Sequence, residues 1–278
     1  MASNFRIGTV GSPISTPKKP GGSIGAIKQL RSLGLSALEL GWVQSVRVSE
    51  ETCAAIKAES QNQDIAISVH APYFINLNAD EEEWPKSRKR LMDAAYFGNL
   101  AGATDIIFHP GSYFEKPAEE VLSVAIPRLK KCVEELNNSR NPVVLRPETM
   151  GKIAMLGSLE DTLEMSKQIP GVLPCLDFAH LHARAAGKEN SKEEWLAQIE
   201  LIEKYLGKES LKSLHIHLSG IEYTAKGEKN HLPLKESDFN LTELLEVLVS
   251  RDCSGRILCE SPIMEEDALY IQETLNKL

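Results

Sequence analysis

Short apolar stretches recur along this chain at intervals that leave room for one helix between each pair. That rhythm restricts the fold more than any other feature. The stretches are FRIGTVG (5–11), ALELGW (37–42), IAISVHAP (65–72), TDIIFHPG (104–111), PVVLRPE (142–148), VLPCLDFAH (172–180), SLHIHLSG (213–220) and RILCESP (256–262). They are continuous runs rich in Ile, Val and Leu, the pattern of parallel strands covered by helices. Between them, 87–103 and 118–138 carry apolar residues at helical spacing. The segments 158–168 and 191–207 open with capping-box spacings, Ser158 with Asp161 and Ser191 with Glu194. A last helix is expected near 264–277, and Pro127 is expected to kink the helix that contains it.

Eight such units in 278 residues predict one (β/α)8 TIM-barrel domain spanning 1–278. A doubly wound open sheet is the competing topology. The polar residues favour the barrel, because its strand C-termini converge on one mouth. His70, His109, His180, His182, His215 and His217 lie in or at the ends of apolar runs, and His231 lies in the loop after the seventh. No histidine is assigned to a helix. Glu148, Asp177 and Glu260 join them at strand ends.

A lone buried histidine is usually a hydrogen-bonded core residue, and a lone strand-end acid often caps the next helix. The set as a whole resists that reading. Several carboxylates and imidazoles in one mouth would cost several kcal/mol per ion if uncompensated. Divalent cations supply the compensation. Mixed imidazole and carboxylate donors suit zinc, with manganese or iron as substitutes. His217 is nearer the mouth than His215, which shares its face one layer deeper. His215 and His182 remain open between ligand and supporting group.

The net charge of −8 opposes a broadly basic nucleic-acid coat, although bound cations would offset it locally. Cys53, Cys132, Cys175, Cys253 and Cys259 form no CxxC pair and read as reduced thiols, with Cys175 and Cys259 as small core residues below the site. The opening MASNFRIGTVGSP lacks the pattern of a secretion signal, and no apolar run approaches the ~18 residues of a membrane span. A cytoplasmic protein is expected.

The motifs resemble the endonuclease IV family, zinc-dependent apurinic/apyrimidinic endonucleases on a xylose-isomerase-like barrel. HAPYFINL, FHPGS (108–112), CLDFAH and HIHLSG carry the resemblance, which extends from RIGTVGSP to ESPIMEEDAL. It implies that His70 and His109 hold one zinc and that Glu148 bridges it to a second, completed by Asp177, His217 and Glu260. His180 and His231 would hold a third. Glu148 would also orient or deprotonate the attacking hydroxide, and Tyr73 would enter DNA at the abasic site. The implied activity is nicking of double-stranded DNA 5′ to abasic sites.

The chain departs from the family pattern at the third site. Lys229 stands where the family has an aspartate two residues before the loop histidine, and Glu228 is the nearby alternative. Ser219 and Gly220 replace the family's Asn-Asp. The second-strand loop GWVQSVR also differs, so Arg47, like Lys152, reads equally as a phosphate contact or a solvated surface residue. A metal-dependent sugar isomerase or epimerase on the same barrel is the alternative. It would use Glu148, Asp177, His217 and Glu260 but has little need of His70, His109, His180 and His231. A binding protein with a structural metal fits least, since such sites are closed and commonly built from cysteines.

Overall fold

The computed structural model describes residues 5–278. The first four residues of the stretch read for a secretion signal lie outside the described residues. In chain order the elements are β1 (Phe5–Val10), α1 (Gly22–Ser32), β2 (Ala37–Gly41), α2 (Glu50–Gln63), β3 (Ala66–His70) and α3 (Trp84–Leu100). β4 (Asp105–Phe108), α4 (Ala118–Asn138), β5 (Val144–Pro147), α5 (Leu159–Gln168), β6 (Cys175–Asp177), α6 (Phe178–Arg184) and α7 (Lys192–Leu206) follow. β7 (Leu214–Leu218), β8 (Gly220–Thr224), β9 (Gly227–Leu232), α8 (Leu241–Ser250), β10 (Gly255–Cys259) and α9 (Glu265–Leu275) complete the chain.

Eight parallel strands run in the order β5-β4-β3-β2-β1-β10-β7-β6. The two ends of this sheet meet through isolated parallel bridges, Leu145 with Val172 and Glu148 with Cys175. Thr149 N–H donating to the Cys175 carbonyl at 3.0 Å continues the closure. The result is a (β/α)8 barrel. Each quoted apolar run carries one of its strands, β10 starting one residue before its run. Most of their side chains are buried on both faces, which is why the runs lack alternation.

Local signals set most boundaries. Ser158 and Asp161 form the expected capping box of α5, and Ser191 and Glu194 that of α7. α3 begins three residues before the expected start, with Pro85 in its first turn, where a missing N–H costs nothing. α4 continues through Pro127, which lies on its exposed side, so the carbonyl left without an amide partner faces water.

Two expectations fail. The run 172–180 does not remain extended: Asp177 ends β6 and caps α6, so His180 and His182 lie on a helix. The region after β7 is not a simple loop either. β8 and β9 form an antiparallel hairpin, and His231 sits on its second strand opposite Ile221. Among the described residues no helix is long and apolar enough to cross a membrane.

Candidate metal centre

The barrel closes its strands on a polar cluster, and Asp177 shows how backbone geometry builds it. Its Oδ1 accepts the His180 N–H at 2.7 Å, the N-cap contact that starts α6. The Asp-x-x-His spacing is therefore a capping spacing, and it places the imidazole directly over the acid that starts the helix. Asp177 Oδ2 is fully buried and accepts no hydrogen bond among the described residues. A buried carboxylate oxygen without a donor is costly unless a cation faces it.

Glu148, just past β5, is central and completely buried. Its Oε2 lies 3.2 Å from both His70 Nε2 and His109 Nε2. Its Oε1 lies 3.1 Å from His217 Nδ1 and 3.6 Å from His180 Nδ1. The carboxylate thus presents one oxygen to each side, as a bridge would. His217 Nδ1 is also 3.4 Å from Glu260 Oε1. Ligands about 2.0–2.2 Å from a shared ion sit roughly 3.0–3.5 Å from one another, so these spacings suit a common cation.

Three overlapping groups result, each with donor atoms within 4.8 Å of one another: His70, His109 and Glu148; Glu148, Asp177, His217 and Glu260; and Asp177, His180 and His231. In the third, His180 Nε2 faces His231 Nε2 at 3.2 Å. Both rings turn their Nδ1 toward main-chain carbonyls, His180 to Thr149 at 2.9 Å and His231 to Glu260 at 3.2 Å. With a proton on each Nδ1, two lone pairs point at each other. A cation or an additional proton must lie between them. Glu228 Oε2, carried in by β9, is 3.6 Å from His180 Nε2. A cavity of about 320 Å³ opens onto His70, His109, His180, Glu228, His231 and Glu260.

The electrostatics record the same imbalance. Burial alone would depress His70, but hydrogen bonding to Glu148 and its charge raise it to about 9. His180 is likewise raised to about 9 against burial, first by Asp177 and then by Glu148. Burial pushes Asp177 up to about 6 despite His180. Burial would also raise Glu148, but His217 holds it well below the usual carboxylate range. Without metal, the carboxylates therefore hold protons on His70 and His180, whereas burial lowers His109.

Other residues singled out in the sequence fall elsewhere. His182 is buried away from the cluster, with Nδ1 on the Glu189 carbonyl at 2.9 Å and Nε2 on Asp238 at 3.0 Å. Both ring nitrogens are committed, so it ties α6 to the segment before α8. His215 lies beneath the cluster with Nε2 2.9 Å from Glu39 Oε2, and burial lowers it to about 4. Cys175 groups with His215 and His217, but burial pushes its thiol well above the usual range, which disfavours the thiolate a metal requires. Tyr73 stacks on His109 at 4.9 Å and remains 45% exposed at the mouth, beside Phe74 at 60%. Arg47 is exposed in the loop after β2. Sequence reasoning missed Glu39, a buried acid on β2. Its signal was present: one carboxylate flanked by leucines inside a continuous apolar run.

Comparison with known proteins follows the same lines. A family model described as a xylose isomerase-like TIM barrel matches residues 27–278. An uncharacterized protein of Methanocaldococcus jannaschii is 39% identical over 272 residues, covering 98% of this chain and 97% of that one. Endonuclease 4 of Thermus thermophilus is 27% identical over 202 residues, covering 70% and 71% of the two chains. Among solved structures, an endonuclease IV from Thermus thermophilus superposes with TM-score 0.73 at 22% identity, covering 97% and 98% of the chains. A D-tagatose 3-epimerase-like protein superposes with TM-score 0.72 at 19% identity, covering 97% and 96%. The structural likenesses establish the shared architecture, and the sequence match over residues 27–278 assigns the lineage: the chain belongs to the xylose isomerase-like TIM barrel family.

Proposed function

We propose that this chain is a cytoplasmic, single-domain, metal-dependent phosphodiesterase that nicks DNA 5′ to abasic sites. The supporting observation is the histidine set added to the four-residue group Glu148, Asp177, His217 and Glu260. His70 and His109 extend that group on one side, and His180 and His231 on the other. One or two ions for sugar chemistry would need only the shared four. Homology to endonuclease 4 proteins supports DNA as substrate.

The donor set fits three divalent ions, with zinc favoured by its imidazole content and manganese or iron as substitutes. His70, His109 and Glu148 hold the first. Glu148, Asp177, His217 and Glu260 hold the second. Asp177, His180 and His231 hold the third, and Glu228 takes the place of the aspartate expected at position 229. Divalent ions held there supply an activated water and charge stabilisation for the entering and leaving oxygens of a phosphodiester. Glu148 lies between the first two groups and orients the attacking water. Tyr73 and Phe74 offer aromatic faces at the mouth to bases flanking a flipped-out abasic sugar. Arg47 would meet backbone phosphate. With a net charge of −8, binding rests on such local contacts and weakens as salt rises.

The test is incision of a duplex oligonucleotide bearing one abasic site, with an undamaged duplex as control. A single nick 5′ to the lesion is expected, lost after prolonged chelation and in His109→Ala. Absence of incision by folded, zinc-loaded protein would overturn the reading and direct attention to ketose–aldose interconversion.

A further inference from the structure

Glu39 lies on β2 with no solvent exposure, outside the ligand set proposed above. The strand register places it beside Ser68 of β3, whose hydroxyl donates to Glu39 Oε2 at 2.8 Å. His215 Nε2 reaches the same oxygen at 2.9 Å. The other oxygen, Oε1, faces His217 Nε2 at 3.1 Å. The two atoms stand at ion-pair distance, and neither has a hydrogen-bond partner among the described residues.

His217 therefore has two different sides. Its Nδ1 looks into the cluster, 3.1 Å from Glu148 and 3.4 Å from Glu260. Its Nε2 looks down at Glu39. A neutral imidazole carries one N–H and one lone pair. A proton on Nδ1 would leave the Nε2 lone pair against a carboxylate oxygen in a dry interior. A proton on Nε2 gives Glu39 a donor and turns the Nδ1 lone pair toward the ions.

The other cluster histidines are oriented differently. His70, His180 and His231 turn Nδ1 to the main-chain carbonyls of Ala71, Thr149 and Glu260. His217 alone among these four has a carboxylate behind its ring. A carboxylate behind a ligating imidazole fixes the ring and raises its basicity. In the sequence this residue is marked only by a carboxylate between leucines; its partner is brought to it across β1 and β10 by the curvature of the barrel.

We propose that Glu39 is a positioning residue of the metal centre: it accepts the His217 Nε2–H, fixes that tautomer and makes His217 a more strongly donating ligand of the second metal group. Ser68 and His215 hold the carboxylate in place by donating to its other oxygen. The inference rests on the proposed metal centre but not on its substrate.

The test is zinc titration of the full-length protein by competition with a fluorescent chelator, with stoichiometry read by native mass spectrometry. Glu39→Gln keeps the shape and removes the charge. It is expected to weaken one ion by roughly 10- to 100-fold and to leave the other two bound. Ser68→Ala, which removes a donor but no charge, is expected to bind zinc nearly as the parent does. In parallel, ¹⁵N spectra of histidine-labelled, zinc-loaded parent protein read the tautomer directly. A proton on His217 Nε2 is expected, and a bare Nε2 overturns the proposal even if Glu39→Gln does not fold. Unchanged zinc affinity in Glu39→Gln overturns it as well. Failure of the parent protein to bind zinc removes both this inference and the metal centre. Failure to nick DNA with the Glu39 effect intact removes only the substrate assignment.

Discussion

Gly151 is the docking point of the hairpin that carries two donors of the proposed third metal group. The hairpin β8–β9 docks there: Glu228 N–H donates to the Gly151 carbonyl at 3.2 Å, and Lys152 bridges to Gly227. A side chain at Gly227 would strike that same Gly151 carbonyl. A methyl group at Gly151 would lie 2.6 Å from Glu228 Cβ and 3.1 Å from His180 Cδ2, both in residues of the third group. Ordinary contact begins near 3.4 Å, so Gly151→Ala must push the hairpin back by about 0.8 Å. Metal–ligand bonds tolerate about 0.2 Å. The displacement is several times that, and it falls on the strand that carries both Glu228 and His231. The first two groups stand on the ends of β3, β4, β5, β6, β7 and β10 and should keep their ions. Gly151→Ala is thus expected to retain two ions against three expected for the parent, measured by elemental analysis after exhaustive dialysis. Residual overpacking costs about 1–3 kcal/mol, visible as a lower melting temperature. A variant that kept three ions and its melting temperature would refute the reasoning, because the hairpin could then move without touching the site.

Further outcomes can be checked independently. His70 and His180 are raised to about 9 in the metal-free protein from an ordinary 6.5, so their contribution to stability is complete below 6.5 and is lost as pH rises through 9. Calorimetry of metal-free protein should show a melting temperature that falls between these pH values, whereas the added stabilisation by zinc grows over the same window; a flat metal-free profile contradicts the charge assignment. Tyr73→Ala should cost about 1–3 kcal/mol of binding to abasic duplex, the value of one stacked base, with metal content unchanged; equal loss of metal would recast Tyr73 as part of the cluster. Arg184 Nη1 donates to the carbonyls of Lys152 and Met155 at 2.7 and 3.1 Å, so it secures the loop that contains Gly151. Arg184→Met should speed hydrogen exchange across residues 150–156 and the β9 strand, and unchanged protection would show that the hairpin is anchored by other contacts.

The barrel was legible because a parallel strand buried on both faces leaves a continuous apolar run, and eight such runs leave few topologies. The strand-end histidines and acids were legible because polar groups at those points have no packing use. Three features were hidden, each for its own reason. FAH (178–180) reads as the end of the preceding strand, because Asp177 acts as cap and candidate ligand at once and only the cap contact with His180 reveals the helix. The hairpin is short and mostly polar: β8 alternates over only Ile221 to Thr224, and β9 carries Glu228, Lys229 and Asn230 in succession, so it does not stand out as sheet. Glu39 looks like a lapse in an apolar run until the curvature of the barrel brings His215 and His217 to it, more than 170 residues away in the chain.

The metal cluster itself is tested most directly by crystals of the protein grown with zinc, with diffraction recorded on both sides of the zinc absorption edge. Three anomalous peaks are expected, one flanked by His70, His109 and Glu148, one by Glu148, Asp177, His217 and Glu260, and one by Asp177, His180 and His231. Peaks confined to the surface, or a mouth with ordered water and no anomalous signal at full zinc loading, would contradict the assignment of these residues as ligands.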